Sequence, residues 1–92
     1  MFELFKAGSG VRAVTFYGNE LGQIVVVGAD GSKGIGGDIR KPEQRINLPG
    51  GNAKTIREFL FDCFDQMSQE HMNKHWLELK PYFNATQENK RR

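Results

Sequence analysis

The sequence predicts an α+β domain: a four-stranded antiparallel sheet followed by a long C-terminal helix, a ββββα layout. Three observations lead there. Short β-prone runs, each closed by turn residues, occupy most of the chain before Arg45. Ile56, Phe59, Leu60, Cys63, Phe64 and Met67 then recur every three or four residues, the period of one helical face. A sheet with one apolar face needs a helix of this kind to cover it.

The first strand is expected over Phe2 to Lys6, ended by Ala7-Gly8-Ser9-Gly10. Val11 to Tyr17 forms the second, with Val14 and Phe16 on one face and Ala13, Thr15 and Tyr17 on the other. After the Gly18–Gly22 turn, Gln23-Ile24-Val25-Val26-Val27 is the most β-prone run and is expected to be central. Ile24 and Val26 then point inward beside Val14 and Phe16. From Gly28 to Glu43, five glycines with Lys33, Arg40 and Lys41 read as a long, mobile, basic connection. Arg45-Ile46-Asn47-Leu48 is expected as the fourth strand, and Pro49-Gly50-Gly51 breaks it. Asn52 is the expected N-cap of a helix that runs on through Met72, Trp76 and Leu79 and ends near Pro81. Continuous from Ala53 to Lys80, that helix would measure about 42 Å. Met72, Trp76, Leu79, Tyr82 and Phe83 would then overhang the sheet, an apolar stripe that calls for a second copy of the chain. The domain is expected to span residues 1–83, and residues 84–92, ending Lys90-Arg91-Arg92, to be a disordered basic tail.

Composition narrows the class. With 38% apolar and 26% charged residues, the chain suits one small globular domain. No apolar run approaches the roughly 18 residues of a membrane span. The first residues lack the basic-then-apolar order of a secretion signal, and Cys63 is the sole cysteine, so a cytoplasmic, reducing setting is expected. Net charge is only +2, but it is unevenly spread. Between Lys33 and Arg57 six basic residues meet only Asp38 and Glu43, whereas Glu58 to Glu78 is acidic apart from Lys74.

Catalytic and metal chemistry find little support. His71 and His75 stand four apart, with only Glu70 and Glu78 near enough in sequence to complete a site. Cys63 lies on the apolar helical face, where a nucleophile cannot work. The Gly-rich segment lacks the spacing of a phosphate-binding loop. The expectation is a protein without enzymatic activity, cofactor, metal or small-molecule substrate.

Four strands followed by a helix resemble the PUR repeat and its Whirly-like relatives, which bind single-stranded nucleic acid. Arg45-Ile46-Asn47-Leu48 is similar to the basic-led last strand of that repeat, and Ile56-Arg57-Glu58-Phe59-Leu60-Phe61-Asp62 to its helix. Gln23 stands where the family favours Arg, and the segment from Gly28 to Gly37 is longer than the usual loop. In the family two repeats intertwine, so a single repeat implies a homodimer.

The expected function is therefore binding of single-stranded DNA or RNA with little sequence preference. Such binding needs a basic groove and exposed aromatic faces. Phe5, Tyr17, Gln23, Arg45 and Asn47 are the candidates on the outer sheet face, flanked by Lys6, Arg12, Lys33, Arg40 and Lys41. Met72, Trp76, Leu79 and Phe83 are the expected dimer or partner contact. The alternative is a small regulatory module that docks on another protein through Trp76, Leu79, Tyr82 and Phe83 and an acidic helix face.

Overall fold

The computed structural model describes residues 1–87. Its strands β1 (Phe2–Ala7), β2 (Val14–Gly18), β3 (Gln23–Gly28) and β4 (Lys33–Asp38) form one antiparallel meander in the order β1-β2-β3-β4. Strands β5 (Arg45–Leu48) and β6 (Asn52–Thr55) form a separate hairpin. Helices α1 (Ile56–Gln66), α2 (Gln69–Lys74) and α3 (Trp76–Gln87) and a 3₁₀ turn over Gly10–Arg12 complete the fold, so the second strand starts at Val14 and not at the expected Val11. The α+β class and the four-stranded antiparallel sheet are as expected.

The fourth strand is not. Lys33–Asp38, expected within a mobile connection, pairs with β3, while Arg45–Leu48 pairs with Asn52–Thr55. The glycines of β4 serve packing rather than mobility. A Cβ on Gly36 would lie 2.7 Å from Val26 Cγ2, and one on Gly37 would lie 2.7 Å from Ile56 Cδ1. Only glycine lets Val26 and the start of α1 sit so close to this strand. Gly50 and Gly51, at φ of 88° and 83°, make the β5–β6 turn that the sequence presents as a simple break.

The predicted register holds in the middle of the sheet. Phe16 faces Val26 and Gly18 faces Ile24 across β2 and β3, so Val14, Phe16, Ile24 and Val26 share the inner face. On β1 a bulge between Glu3 and Phe5 changes the phase. Phe5, expected on the outer face, turns inward and stacks edge-on to Phe59 with centroids 6.0 Å apart.

Helix α1 begins later than Asn52. Thr55 is its N-cap: the Oγ1 accepts from Glu58 N–H and the Glu58 carboxylate accepts from Thr55 N–H, each at 3.1 Å. This is a capping box, and it satisfies two otherwise orphaned donors. Phe59, Leu60 and Cys63 are buried, while Phe61 is 48% exposed, as the helical phase predicts.

The single long helix does not form. Met67 takes extended backbone (ψ 139°), and Ser68 caps α2 by accepting from His71 N–H at 3.1 Å. A second break at His75 starts α3, which packs back along α1. Leu79 and Tyr82 are 0% and 1% exposed, so they join this chain's own core instead of overhanging it. The apolar stripe that called for a second copy is thereby largely consumed. Helix α3 also passes through Pro81 and continues to Gln87, burying Ala85 and Thr86. Leu77 and Pro81 are both exposed, so water can replace the missing helical bond. The expected boundary at residue 83 therefore falls inside a helix, and the rest of the expected tail, 88–92, lies outside the described residues.

Tyr82 closes the fold. Its ring meets Phe2 edge-on at 5.2 Å. Its hydroxyl accepts from Asn19 N–H (3.0 Å) and donates to Asn19 O (2.8 Å), with Gln23 O a further acceptor at 3.0 Å. Burial pushes its pKa up to about 12.

Candidate functional site

The helices and the β5–β6 hairpin pack on the inner face of the meander, whose residues Phe16, Ile24 and Val26 join the core. The outer face carries no covering layer among the described residues. Alternation places Thr15 and Tyr17 of β2 and Val25 and Val27 of β3 there. Pairing of β3 with β4 sets Ile35 beside Val25 and Lys33 beside Val27. Pairing of β1 with β2 sets Glu3 beside Tyr17 and Lys6 beside Thr15.

Two rows therefore cross the sheet. One is Glu3-Tyr17-Val25-Ile35, and the other is Lys6-Thr15-Val27-Lys33. Neighbouring strands lie about 4.8 Å apart, so each row is roughly 15 Å from first to last strand. Tyr17 is half-buried, Val25 is only 7% exposed because its row neighbours flank it, and Ile35 is 60% exposed. Lys6 and Lys33 are exposed at the two edges, and neither has an ion pair among the described residues. The result is an aromatic-centred apolar strip, Tyr17-Val25-Ile35, with the Glu3 carboxylate at its β1 end and, in the neighbouring row, Lys6 and Lys33 at the two sheet edges.

The expected site residues divide. Tyr17, Gln23 and Lys33 share this face, although the Gln23 side chain is occupied in accepting from Asn19 Nδ2 at 3.0 Å. Arg40 is held by Asp38, with Nε to Oδ1 at 3.0 Å and Nη2 to Oδ2 at 2.7 Å. That pairing, led by the hydrogen bond from Arg40, lowers the Asp38 pKa to about 2. Lys41 is exposed in the turn after β4. Arg45 and Asn47 lie on the separate hairpin. Arg45 Nη2 donates to Ala53 O at 3.1 Å, and Asn47 lines a cleft on the inner side with Val14 and Val26. Arg12 lines that same cleft. A single groove through Lys33, Arg40, Lys41 and Arg45 is therefore not formed, because β5 left the sheet to pair with β6.

Of the expected partner contact, Leu79 is buried inside the chain. Phe83 is half-buried between Phe64 and Trp76, at 5.3 and 5.7 Å. Trp76 is 37% exposed and Met72 half-buried.

Comparison of the chain with protein families, characterised proteins and solved structures finds no match.

Ile35, Val25 and Val27 are the members of this face that sequence reasoning missed. Lys33-Gly34-Ile35 does alternate, but the flanking glycines hide the strand signal. No group of three or more potential metal ligands occurs among the described residues. His71 instead places Nε2 3.0 Å from Glu3 O, and its ring lies tilted at 50° against His75, with centroids 4.7 Å apart. Cys63 is buried, and desolvation raises its thiol pKa far above the ordinary value, which leaves it unreactive. No helix among the described residues is long and apolar enough to cross a membrane.

Proposed function

We propose that the outer sheet face binds single-stranded DNA or RNA with little sequence preference, a binding role rather than a catalytic one. The observation that carries this is the Tyr17-Val25-Ile35 strip beside the row that ends in the free cations Lys6 and Lys33. Bases stack on an aromatic or flat apolar surface, while phosphates prefer cations that no carboxylate already neutralises. The four-stranded meander, followed by the β5–β6 hairpin and then a covering helix, is roughly consistent with the ββββα layout expected from the PUR resemblance, with Lys33–Asp38 in place of Arg45–Leu48 as the sheet's last strand. An intracellular homodimer belongs to the same proposal, with Met72, Trp76 and Phe83 left as its contact once Leu79 is withdrawn.

The test is titration of poly-dT and poly-U against salt. Two neutralised phosphates per chain give a slope of log K on log salt of about −1.4, at roughly −0.7 per phosphate. Replacing both Lys6 and Lys33 by Ala should flatten that slope. Tyr17→Ala should keep the slope and weaken binding by about 1–3 kcal/mol. Unchanged binding in both variants would remove this face from the reading.

One observation favours protein docking instead. Leu21 (72% exposed) and Leu77 (88% exposed) flank a cleft of about 410 Å³ with Ile39 and Pro81. On that reading single strands do not bind at low salt, and Leu77→Ser abolishes partner capture.

A further inference from the structure

On the inner side of the sheet, the covering layer stops short. Two adjoining clefts, of about 640 and 440 Å³, open beside the tip of the β5–β6 hairpin. Arg12, Pro49 and Gly50 line both, so the two spaces meet at Arg12 and the hairpin turn. Val14, Phe16 and Val26 line the larger cleft, and Phe5, Ala7 and Leu48 the smaller. Phe16 is a buried core residue beneath the larger cleft, whereas Val14, Val26, Phe5, Ala7 and Leu48 pack against the core and stay half-buried.

The polar groups are unequally shared. The smaller cleft holds two cations, Arg12 and Lys54, with the hydroxyl of Ser9 and the amide of Asn52, and no carboxylate lines it. Lys54 is paired with Asp62, but the Arg12 guanidinium has no partner among the described residues. Asp30 lines the larger cleft only, and it is turned onto Ser32, accepting from the N–H at 3.0 Å and from Oγ at 2.7 Å. Backbone geometry also fixes where Arg12 stands. Arg12 N–H donates to Ser9 O at 3.2 Å, and a Cβ on Gly8 (φ 80°) would lie 2.8 Å from Arg12 O. Only glycine lets this turn close so tightly on the arginine.

We propose that the paired clefts bind an amphiphile with a single anionic head, the head on Arg12 in the smaller cleft and the apolar body over Val14 and Val26 in the larger. An unpaired guanidinium takes a carboxylate through two parallel hydrogen bonds, and a preformed apolar floor takes hydrocarbon. A cationic amphiphile would meet Arg12, and a neutral one would leave it unpaired. This site is separate from the outer face and extends the chain's repertoire to a small-molecule ligand, against the expectation from sequence.

Decanoate, decanol and decyltrimethylammonium, each below micelle formation, would be titrated into the methyl-labelled protein and followed by NMR. Decanoate should shift the Val14, Val26 and Leu48 methyls, and the other two should bind at least tenfold more weakly. Arg12→Gln should lose about tenfold in decanoate affinity, the factor expected for a charge-assisted hydrogen bond, while Arg12→Lys loses less. Arg12 is exposed and unpaired, so both variants should fold, and thermal melts would check this. The proposal is overturned if decanoate fails to bind, if decanol equals it, if Arg12→Gln binds as wild type, or if shifts appear instead at Leu21 and Leu77 or at Val25 and Ile35.

Discussion

Tyr82 discriminates between a C-terminal helix that serves its own core and one that overhangs toward a second copy. Tyr82→Ala removes a ring that is 1% exposed and packed edge-on against Phe2. Truncating such a buried aromatic costs about 3–5 kcal/mol, and Tyr82→Phe should cost far less. The hydroxyl's partners are not orphaned without it. Asn19 N–H also donates to Gln23 O at 3.2 Å, and Asn19 O also accepts from Gly22 N–H at 3.1 Å. The loss should therefore be near 1 kcal/mol, the low end for a buried hydrogen bond, or about 4–8 °C in Tm. Urea denaturation at two protein concentrations, with sedimentation of each variant, would measure both. If Tyr82→Ala were within 1 kcal/mol of wild type, α3 would not be docked as described. A wild-type midpoint that rises with protein concentration would instead report the proposed homodimer through Met72, Trp76 and Phe83, and would leave the docking of Tyr82 in its own core untouched.

Other perturbations test the remaining elements. Phe59→Ala should cost about 3–5 kcal/mol, and Phe61→Ala, on the exposed side of α1, well under 1; equal melts would put the helical phase in error. Thr55→Ala removes half of the capping box and should cost about 1 kcal/mol, whereas Asn52→Ala should be close to neutral. The Asp38 pKa is depressed from 3.8 to about 2, so its ion pair with Arg40 contributes fully above pH 4 and is lost as pH falls toward 2. Asp38→Asn should accordingly flatten the stability profile across that window, and an unchanged profile would remove the pair from the account.

Legibility in the sequence followed how local each signal was. The faces of β2, β3 and α1 were readable because side-chain periodicity alone sets them: Phe16, Ile24 and Phe59 lie where alternation and the 3.6-residue period put them. The Thr55-Ile56-Arg57-Glu58 capping box and the Ser68 cap were also written in the sequence, but the apolar period running across them masked both. Strand β4 was not readable. Its glycines answer to Val26 and Ile56, residues distant in the chain, and glycine in isolation signals a loop. Fold-back of α3 depends on the same kind of distant partner, the carbonyls of the β2–β3 turn that Tyr82 reaches.

The candidate site was half legible for a related reason. Tyr17 and Lys33 reach the outer face by simple alternation, but Arg40 has a charge partner two residues away, and Arg45 and Asn47 depended on a strand pairing that did not form. What remains available for contact is then a question about the sheet itself. Its two edges are β1 and β4, and each carries a register shift, between Glu3 and Phe5 on one and opposite Ile24 and Val25 on the other. Bulged edges twist away from the flat ladder that an added strand needs, and the exposed Lys33 on β4 blunts that edge further. Contact by strand addition is thus disfavoured at both sides of the sheet. The flat surface between the two edges, with Tyr17 at its centre, is the part of the sheet left free to meet a partner face-on.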